Sequence, residues 1–265
     1  MNETVNKSIN EGDLVLLYQD QKRKWIVTAS SGRFHTHRGY LELEKLVGLS
    51  YGQNVVTSLG ASLLLFKPRL VDLIDGFNRP TQILYPKDIG YAIYELGIKD
   101  GDTVVEVGTG SGAFTAGLAQ AVSPGGHVYT YENRPEFQAN AMRNLAKTKL
   151  SNQVTFRNVD PMDGFLETNV DAAVIDLGDP WKMVHPAWKA LAGSGVLAAF
   201  TPTVNQLEKL AEALKKGGFT ILQAVELLMR EFKTESGKVR PESRMIGHTA
   251  YVTIARKILP SGTES

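Results

Sequence analysis

The sequence has no cysteine among its 265 residues. That absence excludes disulfides, thiolate metal sites and a cysteine nucleophile. An excess of one charge is also missing. The 29 Lys and Arg nearly balance the 28 Asp and Glu, leaving a formal net charge of +1, so no global basic field announces a nucleic-acid partner. No apolar run approaches membrane-spanning length; residues 61–66 are far too short. The polar start, residues 1–12, lacks the apolar core of a secretory signal. The expectation is a soluble, cytoplasmic protein. Histidine is sparse too, and His35 and His37 stand without a supporting carboxylate set, so they read as turn or surface residues and no metal is assigned.

What is present begins with Val104-Val105-Glu106-Val107-Gly108-Thr109-Gly110-Ser111-Gly112. A short apolar run, Thr103–Val107, ends in alternating glycines and leads into an apolar helical stretch, Ala113–Val122. A strand feeding so tight a turn aims the amides of the next helix at whatever lies above it, which suits an anionic or strongly polar ligand. Glu132 closes the following apolar run, His127–Tyr131, 24 residues after Gly108. An acid there is placed to hold two ribose hydroxyls, with Asn133 beside it. Together these features indicate an adenosine-containing cofactor. Gly108, Gly110 and Ala113 also satisfy the relaxed dinucleotide pattern, so a nicotinamide enzyme competes. Glu106 counts against it, because a carboxylate two residues before the turn repels a pyrophosphate but suits a cationic amino-acid tail. Gly112 extends the pattern to E-x-G-x-G-x-G, which resembles motif I of the class I S-adenosylmethionine methyltransferases.

The chain divides near residues 68–80. Before that point, residues 13–18 and 25–28 read as short strands about the charged turn 20–24, and Gly32, His35, His37 and Gly39 mark further turns. Residues 54–66 add another apolar stretch. This predicts a small β-rich domain over residues 1–75 and a larger domain over 76–265. The second domain alternates strand and helix. Helices are expected at 87–96, Ala113–Val122, 136–147 and Val204–Lys216. Strands are expected at Thr103–Val107, His127–Tyr131, 154–158, 172–176, 196–200, 220–227 and 250–256. The fold class is α/β, a Rossmann-like, doubly wound sheet of seven strands with an antiparallel final pair.

Ligands of such sheets gather at the carboxyl ends of the strands, and three acids stand there. Glu132 faces the ribose, Asp160 is placed to accept from the cofactor's adenine amino group, and Asp176 opens Asp176-Leu177-Gly178-Asp179-Pro180-Trp181. One such acid alone is as readily a helix cap. Three at successive tips behind a glycine turn read as a site.

The segment Asp176–Trp181, with Leu84-Tyr85-Pro86-Lys87-Asp88 and Arg244-Met245-Ile246-Gly247-His248-Thr249, resembles the tRNA (adenine-N1) methyltransferases that modify position 58 of the T-loop. The resemblance covers nearly the whole chain. It implies S-adenosylmethionine as cofactor, tRNA as substrate, Asp176 as the catalytic aspartate and Tyr85 as a tyrosine near the target base. It also implies a homotetramer, and an RNA-binding or oligomer-contacting role for the first domain. Gly178 departs from the bulkier residue that relatives often carry, which affects pocket shape and no polar group.

The chemistry is consistent with this. Adenine N1 is a neutral lone-pair nucleophile, so in-line methyl transfer depends on positioning more than on a strong base. Methylation places positive charge on the purine, and a carboxylate accepting from the N6 amino group stabilises it. The base must be extruded to be reached; Tyr85 and Trp181 are candidates to line its pocket. Residues 228–257 carry seven Lys and Arg against three Glu, with Arg240, Arg244 and His248 as candidate substrate contacts. Three competing readings remain at this stage: a methyltransferase for isoaspartyl protein or a small molecule, a non-catalytic RNA-binding subunit, and the nicotinamide enzyme.

Overall fold

The computed structural model describes residues 8–79 and 84–260. Residues 1–7 of the polar start and Pro80 of the expected boundary lie outside that range. The chain forms two compact units, residues 1–77 and 78–265.

The first unit is an antiparallel sheet in the order β2-β1-β6-β5, from β1 (Leu14–Asp20), β2 (Arg23–Thr28), β5 (Asn54–Val56) and β6 (Ser62–Phe66). A separate hairpin joins β3 (Arg33–Thr36) to β4 (Gly39–Glu42), and a short helix, α1 (Leu70–Asp75), ends the unit. Strand β6 shows why the sheet has one wet face: Leu63 and Leu65 are buried while Ser62, Leu64 and Phe66 face outward. The buried residues join Ile9, Val15, Leu17, Val27, Leu41 and Leu46 in one core. The charged turn is tighter than expected, because Asp20 already pairs with Arg23 and its carboxylate accepts the amides of Lys22 and Arg23. His35 lies within β3 and not at a turn. Among the described residues no cluster of His, Asp and Glu is arranged to hold a metal.

The second unit carries a seven-stranded sheet in the order β12-β15-β11-β10-β7-β8-β9. Its elements in chain order are α2 (Pro86–Leu96), β7 (Thr103–Val107), α3 (Ala113–Val122), β8 (His127–Tyr131), α4 (Pro135–Leu145) and β9 (Val154–Arg157). They continue with β10 (Val170–Ile175), α5 (Val184–Ala190), β11 (Leu191–Thr201), α6 (Val204–Lys216) and β12 (Phe219–Glu226). A two-stranded hairpin follows, β13 (Phe232–Lys233) and β14 (Arg240–Pro241), and β15 (Tyr251–Lys257) closes the sheet. Strand β15 runs antiparallel to both its neighbours, as the expected final pair requires. The central strands are buried on both faces, which is why they read as unbroken Val, Ile and Ala runs. Helix α6 shows the other pattern: Leu210 and Leu214, one turn apart, are its buried residues, and the Thr203 hydroxyl caps it by accepting from the Gln206 amide.

Helix α5 is absent from the expected elements, and it carries Pro186 inside Val184–Ala190. Proline in the first turn is tolerated, since its missing N–H has no intrahelical partner there. Strand β11 begins five residues before the expected 196, the added part pairing Leu191 with Val170 across a register shift.

Candidate active site

The glycine turn is built by contact with the neighbouring strand tip. Gly108 has φ of +94°, and a Cβ placed there would lie 2.0 Å from the Asp176 carbonyl oxygen. The Asp176 amide in turn donates to the Val107 carbonyl at 2.9 Å. The turn after β7 and the tip of β10 therefore meet backbone to backbone, and only glycine permits it. Gly112, with φ of +80°, begins α3 without a side-chain cap, leaving the first amides of that helix to other acceptors.

Beneath the turn lies a buried polar layer. Glu106 is 1% exposed and accepts from the Thr115 hydroxyl at 2.6 Å. Thr109 and Thr130 share a hydroxyl–hydroxyl hydrogen bond of 2.6 Å. Burial, only partly offset by hydrogen bonds from Thr115 and Thr130, pushes the Glu106 carboxyl up to about 7. Such a group favours the folded state while neutral and is penalised as it ionises. Its contribution is fully present below the ordinary carboxylate range and is lost as pH rises through about 7. Glu106→Gln is therefore expected to gain stability relative to wild type between pH 5 and pH 8, by about 1–3 kcal/mol. Chemical denaturation of the ligand-free protein at the two pH values checks this, and a pH-independent offset refutes it.

Glu132 is buried at the tip of β8. One carboxylate oxygen accepts from the Gly110 amide at 3.3 Å, and the Arg134 side chain grips both oxygens at 2.9 and 3.2 Å. Arg134 also lies over the Phe137 ring, 3.7 Å from its centroid. Asn133 is exposed beside it. Ser111 is buried, and its carbonyl accepts from Asn144 at 3.0 Å. Asn144 and Asn140 of α4 also donate to the Asn78 carbonyl, at 2.9 and 3.0 Å. This asparagine set tethers the glycine loop to α4. Sequence reasoning missed it, because the three residues lie up to 66 positions apart and carry no motif.

These elements frame a cleft of about 370 Å³, lined by Gly108, Gly110, Arg134 and Asp176 on one side and Phe200, Pro202, Thr249 and Leu84 among others. Asp176 presents its carboxyl to the cleft, yet the surrounding walls strip its hydration, and this desolvation pushes it up to about 6. The buried Thr201 hydroxyl in the cleft wall has no hydrogen-bond partner among the described residues.

The other expected residues are spread more widely. Asp160 is exposed and caps a short turn by accepting the Met162 amide at 2.9 Å with one carboxylate oxygen. Trp181 lines neither this cleft nor its neighbour; Lys209 sits over its ring at 5.2 Å. Tyr85 precedes α2 with extended backbone (φ −77°, ψ 151°), as expected for a residue before proline. It lines a second cavity of about 330 Å³ together with Arg244. Arg240 is exposed in β14, and its backbone pairs with Lys233. His248 bridges two acceptors, the Glu226 carboxylate at 2.6 Å and the Pro202 carbonyl at 2.7 Å. The hydrogen bonds from both partners raise its pKa, with Glu226 the larger influence. Because Pro202 lines the cleft, His248 tethers the cleft wall to β12.

Lys87 and Asp88 are first-turn residues of α2, as the sequence reads, and they also form a buried ion pair. The Lys87 ammonium donates to Asp88 at 2.7 Å and to the Thr249 hydroxyl at 2.5 Å. Asp88 is fully buried, and its second oxygen has no partner among the described residues.

Comparison with known proteins agrees with this architecture. A protein of Methanocaldococcus jannaschii, tRNA (adenine(57)-N(1)/adenine(58)-N(1))-methyltransferase TrmI, is 34% identical over 91% of this chain and 94% of its own length. A crystal structure from Thermotoga maritima, described as a SAM-dependent O-methyltransferase, superposes with a TM-score of 0.89 at 36% identity, covering 97% of each chain. The tRNA (m1A58) methyltransferase TrmI of Aquifex aeolicus gives 0.82 at 33% identity, covering 96% of this chain and all (100%) of its own. The family model for the tRNA methyltransferase complex GCD14 subunit matches residues 64–240. On the strength of that match and of the near full-length relatives, this chain belongs to the tRNA methyltransferase complex GCD14 subunit family.

Proposed function

We propose that this protein transfers a methyl group from S-adenosylmethionine to N1 of an adenine in the T-loop of tRNA, at position 58. The observation that carries the reading is the backbone contact of Gly108 on Asp176, which sets a carboxyl with no hydrogen bond or ion pair among the described residues at the rim of the glycine turn. The residues present fit S-adenosylmethionine. The buried Glu132 carboxylate suits a ribose diol, the α3 amides lack a side-chain cap, and the orphaned Thr201 hydroxyl awaits a polar partner. When bound, the cofactor supplies an electrophilic methyl on a sulfonium.

The chain's own part is positioning and charge. Glu132, with Asn133 beside it, holds the ribose, and Arg134 fixes the Glu132 rotamer through two hydrogen bonds. Asp160 has one oxygen committed to its cap and offers the other to the cofactor's adenine. The turn 108–112, above the buried Glu106 layer, would hold the cofactor's amino-acid tail. Asp176 accepts from N6 of the target adenine, which raises electron density at N1 and stabilises the cationic product. Tyr85 and Trp181 remain candidates for the approach of the base. The phosphate contacts fall to the hairpin region, where Arg240 and Arg244 have no ion pair among the described residues while Lys233 and Lys238 pair with Glu242 and Glu235. The first unit is assigned an RNA-binding or subunit-contacting role, and the assembly is a homotetramer, read directly by sedimentation. Adenine 57 is a second acceptor to be scored in the same assay.

The decisive experiment is incubation with radiolabelled S-adenosylmethionine and an unmodified tRNA transcript, followed by nucleoside analysis. Label in 1-methyladenosine is the expected result. Label in a ribose methyl ether, or none in any tRNA despite cofactor binding, refutes it, and the former favours the O-methyl acceptor named for the Thermotoga maritima relative.

A further inference from the structure

The second cavity, of about 330 Å³, is lined by Tyr85, Lys87, Met229, Glu231, Arg244 and Met245 among others. Asp176 is absent from its lining, so it is distinct from the cleft where methyl transfer is placed. The two are nonetheless neighbours. Lys87 lines this cavity, Thr249 lines the cleft, and the Lys87 ammonium donates to the Thr249 hydroxyl at 2.5 Å. Two side chains thus form the shared wall.

We infer that this cavity binds a second nucleobase, that of a nucleotide flanking the methylated adenine; the inference rests on the tRNA reading above. Its lining has the chemistry such a ligand needs: a mostly apolar slot with a few convergent polar groups. The Tyr85 ring offers a stacking platform, held in extended backbone by Pro86. Met229 and Met245, 53% and 43% exposed, supply polarisable, adaptable walls that accept different bases. Three polar groups stand uncommitted: among the described residues the Tyr85 hydroxyl, the Glu231 carboxylate and the Arg244 guanidinium have no hydrogen bond or ion pair. Glu231 accepts from a base N–H, and Arg244 is suited to the adjoining phosphate, where its planar fork can engage two oxygens. Two of the three Lys87 N–H donors are engaged by Asp88 and Thr249, so it chiefly shapes the wall and recognition falls mainly to the other three. Holding a neighbour in this slot fixes the strand on one side of the extruded adenine, which accounts for a mostly apolar, aromatic-floored cavity separated from the cleft by the Lys87–Thr249 wall.

The test uses the full-length protein and synthetic tRNAs in which the nucleotide on either side of the target adenine is abasic. Met229→Trp, which fills the slot from its exposed rim, is assayed in parallel. Removing one flanking base is expected to lower kcat/KM by about tenfold or more with the wild-type protein. Met229→Trp is expected to lower kcat/KM on intact tRNA similarly, to add no further loss on that abasic tRNA, and to bind S-adenosylmethionine normally by calorimetry. Equal rates on intact and both abasic tRNAs overturn the subsite. So does a Met229→Trp defect of the same size on every tRNA, which places the target adenine itself in the slot or marks a structural effect. Failure of the wild-type protein to methylate intact tRNA overturns the functional reading first, and the subsite with it.

Discussion

Asp176→Ala is expected to lose about 10²–10⁴-fold in turnover while cofactor affinity changes little. The asymmetry follows from where the residue sits. Its backbone seats Gly108, which alanine at 176 leaves intact, whereas the side chain lines the cleft and, on the proposed reading, acts chiefly on the acceptor base, with any contact to the cofactor secondary. Turnover above a tenth of wild type, with cofactor bound, refutes the assignment. The pH profile gives an independent check. Desolvation favours the neutral acid and holds the carboxyl at about 6, so the carboxylate proposed to accept from N6 forms as pH rises through that value. kcat/KM is therefore expected to climb through about pH 6 and then level. Asp176→Asn should flatten that limb. The same raised pKa means that ionising Asp176 costs folding stability above about pH 6. The asparagine variant should accordingly match or exceed the wild-type Tm at pH 8 while being nearly inactive, separating a catalytic defect from a folding one.

Gly108→Ala is the second large effect. The added methyl would lie 2.0 Å from the Asp176 carbonyl oxygen, a backbone atom that cannot rotate away, at a φ of +94° that alanine adopts only with strain. Relief requires that β7 and β10 part at their tips, which displaces the glycine turn and the Asp176 carboxyl together. The expected outcome is a loss of about 3 kcal/mol or more in stability, and no measurable cofactor binding by calorimetry in whatever folds. Wild-type affinity in the variant would show that the turn does not hold the cofactor. Gly178 provides the contrast on the same loop: a Cβ there meets nothing within 4 Å, so Gly178→Ala should leave stability nearly unchanged.

Much of the site was legible because its signals are local. The run Thr103–Val107, the turn 108–112 and helix Ala113–Val122 occupy the residues that their apolar pattern predicts, since a buried parallel strand and the helix packed on it are each set by a few consecutive side chains. Helix α6 was equally plain, its Leu210 and Leu214 stripe bounded by the Thr203 cap. Boundaries set by pairing partners were less legible. Leu191 became strand only because Val170 lies opposite it, and α5 carried a proline that only its place in the first turn excuses.

By itself, the sequence determined the α/β class, the cofactor turn and the acids at the strand tips, because each is written in neighbouring residues or in a fixed strand-to-helix spacing. Only the tertiary structure decided what those residues meet. It put the Asp176 carbonyl against Gly108, gave Asp160 a capping bond, and made the first-turn residues Lys87 and Asp88 a buried pair, with Lys87 reaching Thr249, 162 positions away. It joined Asn78 to Asn140 and Asn144, and it parted Tyr85 from Asp176 into adjoining cavities. The physical reason is the same in each case. Desolvation, close approach and hydrogen-bond satisfaction depend on which atoms lie within a few ångströms, and the folded chain draws those atoms from distant parts of the sequence.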